Sequence, residues 1–249
     1  MTVSNTDHSP TPRCLIVVPA YNEAASISHV VEDLRKHVPD FDVLVIDDGS
    51  SDATAARVPD GAVVIRLPFN LGIGGAMQAG FRYAHAHGYD VAIQVDADGQ
   101  HPSDQVASLV HRLGAGDADM VIGSRFLEPG GYAQSPSRMA GIRLLRTLLR
   151  LLTGKTFTDC TSGFRAVNAK VIGAFAHWYP DDYPEPEVVL LLDRAGYRIA
   201  EVPVRMRHRT AGQTSIPFLW GLFYVTKVAA ALLLDMIRQP WPDDKVNLP

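Results

Sequence analysis

Cysteine is scarce in this chain, with two residues in 249, and Cys14 and Cys160 stand far apart without any metal-ligand spacing. That excludes a disulfide framework and a cysteine-rich metal cluster, and it makes a reducing compartment the expected setting. Charge of one sign is also missing: 23 basic against 27 acidic residues leave a formal net charge of -4, which argues against generic nucleic-acid binding. No internal repeat or low-complexity tract interrupts the chain. The opening residues MTVSNTDHSPTPR lack a charged start followed by a long apolar core, so residues 1–13 read as a disordered tail rather than a signal peptide. There is no Gly-Lys-Ser/Thr ending of a P-loop, and no dinucleotide fingerprint directly after the first apolar run. A glycine-rich activation loop carrying Lys or Arg near the N-terminus is absent too, which speaks against a nucleotidyltransferase.

What is present is apolar sequence of strand length alternating with patterns of helix length. With 47% hydrophobic residues the chain can bury a sizeable core, and its length suits one α/β domain. CLIVVPA, DVLVIDD, AVVIRL, DVAIQVD and DMVIGS are rich in Val and Ile, and each leads into turn or cap residues and a helix-like segment. This predicts a mostly parallel, Rossmann-like sheet with helices on both faces. The Pro and Gly cluster LEPGGYAQSPS is the one linker-like stretch. Ligands of such sheets gather at the carboxyl ends of the strands.

Three of those strand ends deliver Tyr21, Asn22, Glu23, Asp47, Asp48, Asp96 and Asp98 to one rim. Asp48, Ser50 and Ser51 are ordinary helix-capping types, so DDGSSD taken alone is equally a cap. As a set, however, converging carboxylates repel unless a cation or hydrogen-bond donors compensate them. Carboxylate and amide oxygens suit Mg²⁺ or Mn²⁺, which keep positions open for phosphate oxygens. The stretch VDADGQHP is therefore read as a metal site at Asp96, Asp98 and Gln100 that in turn holds a diphosphate. In FNLGIGGAMQAGF, Gly72, Gly74 and Gly75 serve either close approach to a ligand or tight helix packing.

Taken together, VVPAYNEAASI, VIDDGSSDAT, NLGIGGAMQAG, QVDADGQHP, VIGSRF and DCTSGFRAVN, in this order, resemble the family 2 glycosyltransferases of the GT-A fold. Within that family the chain is most similar to the dolichyl- and polyprenyl-phosphate sugar synthases. The resemblance runs from about Leu15 to about Ile216. It implies a nucleotide-diphosphate sugar donor held by Pro19, Ala20, Tyr21, Glu23, Asp47, Asp48, Asn70, Gly72 and Asp96, a divalent metal at Asp96, Asp98 and Gln100, and an inverting transfer. The Gln-x-x-Arg-Trp motif of processive synthases is absent, which favours one transfer per binding event. An acceptor phosphate is ionised near neutral pH and needs cations rather than a general base. The resemblance carries that role onto Arg125, Arg138 and Arg209, and Arg165 and Ser215 join them as candidates. Where relatives end their last motif in Ser-Lys, this chain reads RTAGQTSI. Asp159 and Glu187 fall at positions that line the acceptor side in relatives, and would orient the acceptor or, for a hydroxyl acceptor, act as base.

Two later segments bear on the lipid. In MAGIRLLRTLLRLL, Arg143, Arg146 and Arg150 are three and four residues apart, and Leu and Ile fill most of the remaining surface. That is the pattern of a cationic helix lying in a membrane interface, or of a helix whose Leu face enters the core. IPFLWGLFYVTKVAAALLLDMIR is long enough to span a bilayer, but Lys227, Asp235 and Arg238 share one stripe, so an interfacial helix, or one facing a partner such as a small integral membrane protein, is expected. The expected layout is a catalytic domain over 14–215, with a nucleotide half to about 125 and an acceptor half from about 126, followed by an apolar helix and tail over 216–249. The expected activity is metal-dependent transfer of one sugar to a polyprenyl phosphate, peripherally on the cytoplasmic face of the cell membrane. Two other readings stay open, transfer to a hydroxyl on a lipid-linked glycan or protein, and a catalytically silent scaffold that binds nucleotide or membrane.

Overall fold

The computed structural model describes residues 11–128, 136–181, 184–207 and 218–237, with backbone alone for 136–138 and 218–225. Strand β1 (Cys14–Ala20) is buried at every position and lies inside the sheet, third of its seven strands. Its side chains alternate between the two faces with a period of two. Leu15 and Val17 enter one core with Leu44 and Ile46 of β2 (Asp42–Asp47), while Ile16 and Val18 enter the other with Val43 and Val45. With β3 (Val63–Arg66), β4 (Val91–Gln94), β5 (Met120–Ser124), β6 (Arg165–Asn168) and β7 (Ile199–Pro203), the strand order is β3-β2-β1-β4-β6-β5-β7.

One face is covered by α1 (Ile27–His37) and α3 (Val106–Gly114). Ile27, Val30, Val31 and Leu34 of the first, and Val106, Leu109 and Leu113 of the second, form stripes at helical spacing. Each such side chain contributes about 1.5–3 kcal/mol by leaving water. The other face is covered by α2 (Gly72–Ala86), α4 (Pro136–Thr153), α5 (Ala169–His177) and α6 (Pro184–Arg194), with α7 (Phe218–Asp235) packed outside α4 and α6. The α5 helix begins where the Asn168 side chain accepts the Val171 N–H at 3.1 Å.

All neighbouring strands are parallel except β6, which runs against both β4 and β5. RAVN carries no alternation long enough to have been read as a strand. The reversal matters for the site, because it sets Arg165 opposite Gln94 and Ile122 and so brings the loop before β6 to the carboxyl rim.

The helix α4 sends part of its apolar surface into the core and leaves part of it exposed. Ile142, Leu145 and Leu149 are buried, whereas Arg143, Leu144, Thr147, Arg150 and Leu151 face solvent. Arg146 is half-buried, so the three arginines do not form one free stripe. In α7 Lys227 is exposed and Asp235 is buried, its main-chain oxygen accepting from the Arg194 guanidinium. The expected stripe is thus split, and Arg238 lies outside the described residues. Among the described residues no helix is long and apolar enough to cross a membrane. The first ten residues of the expected tail and the linker residues 129–135 also lie outside them.

Candidate functional site

The loops after β1 and β2 are stitched to each other. Asn22 N–H donates to Ser50 Oγ at 2.9 Å, Ser51 N–H to Asn22 Oδ1 at 2.9 Å, and Glu23 N–H to Thr54 Oγ1 at 2.8 Å. Asn22 stands at φ 55°, a left-handed conformation that Asn tolerates better than most side chains. Within this frame Asp47 is fully buried, one oxygen accepting Ser50 N–H at 3.1 Å and the other lying 3.2 Å from Arg66 Nε. Asp48, also buried, accepts Leu71 N–H at 2.7 Å and Gly72 N–H at 2.9 Å. It is a cap, but of α2 rather than of the segment that follows it. Asp48 is therefore compensated by two main-chain donors, and Asp47 by one and by the Arg66 charge.

Pro19 and Ala20 lie in β1, and Ala20 C=O accepts Asp48 N–H at 2.8 Å. Glu23 accepts from Ser26 Oγ at 2.7 Å, and its carbonyl receives the first N–H groups of α1. Tyr21, Phe69, Asn70 and Leu71 are exposed along this part of the rim, and Asn70 Oδ1 accepts Gly72 N–H at 3.0 Å. In the glycine stretch the packing reading prevails at Gly74. A Cβ there would lie 2.1 Å from Pro180 O, and Gly74 N–H donates to Asp181 O at 3.1 Å. Helix α2 thereby touches the segment leading to α6 with nothing in between.

Asp96 and Asp98 sit in the turn after β4, both partly exposed. Asp98 Oδ1 accepts Gln100 N–H at 3.0 Å, which closes the turn. Asp96 is flanked by buried side chains at both oxygens: Gln94 Nε2 donates to Oδ1 at 3.2 Å, and His101 Nε2 lies 3.4 Å from Oδ2. Among the described residues no group of three or more His, Cys, Asp or Glu side chains is placed to hold a metal ion. Two carboxylates and an amide fit Mg²⁺ or Mn²⁺, whose shells are normally completed by water and phosphate rather than by an all-protein cage. Asp96, Asp98 and Gln100 are the residues that would hold it.

On the other side of β4, Arg125 and Asp159 face each other. Asp159 is fully buried, and Arg125 nearly so. Arg125 Nε donates to Asp159 Oδ2 at 2.6 Å and Nη2 to Oδ1 at 2.7 Å, a forked pair, with Thr161 Oγ1 at 2.8 Å from Nη2. Glu201 of β7 fixes the loop that carries Asp159 by accepting Thr158 N–H, Thr158 Oγ1–H and Asp159 N–H, each within 2.8–2.9 Å. Arg165 is buried and donates to the carbonyls of Ser162, Cys160 and Glu185, while its Nη1 finds no hydrogen-bond partner among the described residues. Glu187 is buried in the first turn of α6. Two residues earlier, burial raises the Glu185 carboxyl above its ordinary range, with the Arg165 charge pulling the other way. The side chain of Arg138 and all of Arg209 and Ser215 lie outside the described residues. Both cysteines are buried and free, and burial pushes the Cys14 thiol up to about 11 and the Cys160 thiol up to about 12, so neither is a thiolate at neutral pH.

The rim thus carries two stitched loops and a two-aspartate turn, with Arg125 and Arg165 beyond them. Residues 15–175 match the family described as Glycosyl transferase family 2. The chain belongs to that family. This glycosyltransferase is 34% identical over 215 residues to an undecaprenyl-phosphate mannosyltransferase of Micrococcus luteus, covering 82% of this chain and 87% of the relative. It is 32% identical over 214 residues to a polyprenol monophosphomannose synthase of Mycolicibacterium smegmatis, covering 82% and 80%. Among solved structures it resembles glucosyl-3-phosphoglycerate synthase from Mycobacterium tuberculosis in complex with Mn²⁺, UDP-glucose and phosphoglyceric acid. That likeness has a TM-score of 0.66 and 25% identity, covering 94% of this chain and 82% of the other. The α/β sheet described above is therefore of the GT-A type.

The sequence motifs of this glycosyltransferase did not mark Gln94, Arg66, Gly163 or Glu201. For Gln94 a signal was available. It is a polar residue inside the apolar run VAIQV, two places before Asp96, and strand alternation puts such a pair on one face.

Proposed function

We propose that this glycosyltransferase moves one sugar, with inversion, from a nucleotide-diphosphate sugar to a polyprenyl phosphate at the inner surface of the cell membrane, with Mg²⁺ or Mn²⁺ as cofactor. The two named relatives, which act on undecaprenyl phosphate and form a polyprenol monophosphomannose, support the acceptor class. The Mn²⁺ and UDP-glucose held by the M. tuberculosis enzyme support the metal and the donor class.

The observation that carries the choice between acceptors is the state of Asp159. A hydroxyl acceptor needs a base to take its proton, and Asp159 was a candidate for it. Its full burial and its forked pairing with Arg125 hold it as a buried counter-charge instead. A phosphate acceptor needs no such base. Arg138, Arg165, Arg209 and Ser215 are proposed to bind the acceptor phosphate. Arg125 adds positive field at the same place while Asp159 holds its fork. Tyr21, Glu23, Asn70 and Gly72 are proposed to shape the nucleotide pocket, with Asp47 and Asp48 acting through the loops they hold. A bound divalent ion would supply Lewis-acid stabilisation of the charge that builds on the leaving diphosphate. Asp96, Asp98 and Gln100 are proposed to orient it. Leu144 and Leu151 beside Arg143 and Arg150 give α4 the mixed surface of an interfacial helix.

The test compares polyprenyl phosphate with the matching polyprenol, using Mn²⁺ and a donor found by thermal-shift screening of nucleotide sugars, since a ligand stabilises the fold that binds it. Transfer to the phosphate alone is expected. Equal transfer to the polyprenol overturns the acceptor assignment.

A further inference from the structure

The histidine of VDADGQHP has a place in the fold that the proposed chemistry does not yet use. His101 is buried and stacks on the Phe164 ring, with centroids 5.0 Å apart and planes 28° from parallel. The main-chain N–H of Asp96 donates to His101 Nδ1 at 2.9 Å. A ring nitrogen that accepts carries no proton, so the ring's proton sits on Nε2, the atom that faces Asp96 Oδ2 at 3.4 Å. One imidazole thus touches the same aspartate twice, accepting from its backbone N–H and facing its carboxylate. Gln94 meets the other oxygen from the strand side. The space for Gln94 exists because residue 163 is glycine. A Cβ there would lie 2.8 Å from Gln94 Nε2 and 3.5 Å from either oxygen of Asp96.

We propose that Gln94, His101 and Gly163 form a cradle that positions the Asp96 carboxylate for a divalent cation. This rests on the metal reading above. Gln94 and His101 restrain the rotation of a carboxylate that is otherwise partly open to solvent, and Gly163 keeps the cradle from being filled. Outer-shell donors of this kind orient a ligand before the ion arrives, which lowers the cost of ordering it on binding. His101 acts as a positioning residue, because it touches the ligand and not the reacting atoms.

The experiment uses the full chain and two readouts besides turnover. The first is the His101 tautomer in metal-free protein, from long-range ¹⁵N correlation of the imidazole ring. The second is Mn²⁺ affinity, from the electron paramagnetic resonance of free Mn²⁺, in wild type, Q94M, H101N, H101Q, G163A and D96A. Near-UV circular dichroism identifies the variants that keep the fold. The Nε2–H tautomer is expected, together with roughly tenfold weaker Mn²⁺ binding in Q94M and H101N, in the range typical of outer-shell losses. Asparagine places its amide near Nδ1 and cannot reach Asp96 Oδ2, whereas glutamine places a donor near Nε2, so H101Q is expected to recover most of the affinity. G163A is expected to weaken binding in the same direction as Q94M. An Nδ1–H tautomer overturns the cradle, and so does wild-type Mn²⁺ affinity in folded Q94M and H101N when D96A has lost it. Wild type binding Mn²⁺ no better than D96A overturns the metal reading and this role with it, and that outcome is recognised by D96A and wild type agreeing.

Discussion

At Asp98, replacement by alanine removes one negative charge from a turn that already holds Asp96, so repulsion in the empty turn falls. D98A also loses the Gln100 N–H acceptor, which offsets this relief, so it is expected to abolish transfer while its melting temperature stays close to that of wild type. Wild-type activity in D98A, or equal activity with and without metal, would remove the metal from the scheme. Arg125 is the opposite case. Its partner Asp159 has no solvent exposure, so R125A leaves a buried carboxylate without its counter-charge. Breaking such a pair from one side costs about 3–5 kcal/mol. Urea unfolding of R125A should show a loss of that order, and R125K should recover only part because the fork is gone. A fully stable R125A with weakened acceptor binding would mean that Arg125 serves the substrate and not the scaffold.

Among the elements, α4 joins core and surface. Its buried residues Leu145 and Leu149 belong to the main core, and Ile142 is buried too, so the helix is held whether or not a membrane is present. Its outer side carries Arg143 and Arg150 beside Leu144 and Leu151, while Arg146 is half-buried. The double substitution R143E/R150E should release the protein from anionic vesicles, since each basic residue near such a surface contributes about 1 kcal/mol. R146E alone should change vesicle binding less. Unchanged sedimentation of the double variant with anionic vesicles at moderate salt would place the membrane contact elsewhere.

Across the whole molecule, the segment that follows β7 is tied to the first helix. Arg207 Nη1 meets Asp33 Oδ2 of α1 at 2.6 Å, Nη2 meets Asp104 Oδ1 at 3.1 Å, and Arg207 N–H donates to Gln100 C=O at 2.9 Å. Burial alone would raise the Asp33 carboxyl, but hydrogen bonds from Ser103 and Arg207 and the Arg207 charge hold it below the ordinary carboxylate range. Asp119 is lowered in the same way against burial, by Arg198 and Asn168. A carboxyl lowered on folding binds fewer protons in the native state. Its stabilisation is complete above the unfolded value, about pH 4, and is lost as pH falls through the folded value. D33N should therefore be less stable than wild type at pH 7, with the gap between their urea midpoints closing below about pH 4. A gap that stays constant from pH 7 to pH 3 would show that the Asp33 charge does not carry it.

Local pattern was enough to set the fold class and to bring the aspartates to one rim. Runs of Val and Ile with helix-period segments between them can bury their apolar surface only as a sheet covered on both faces. A strand end followed by polar residues marks the ligand edge of such a sheet. Pattern could not say which carboxylates stay available, because compensation comes from residues distant in the chain. Asp48 is capped from Leu71 and Gly72, Asp47 is met by Arg66, and Asp159 by Arg125. Nor could it show β6, four residues long and reversed, whose direction delivers Arg165 and Gly163 to the site. Side-chain periodicity depends on neighbours in sequence, so it was legible there. Charge pairing, burial and the room a glycine leaves depend on neighbours in space, and only the folded chain decides them.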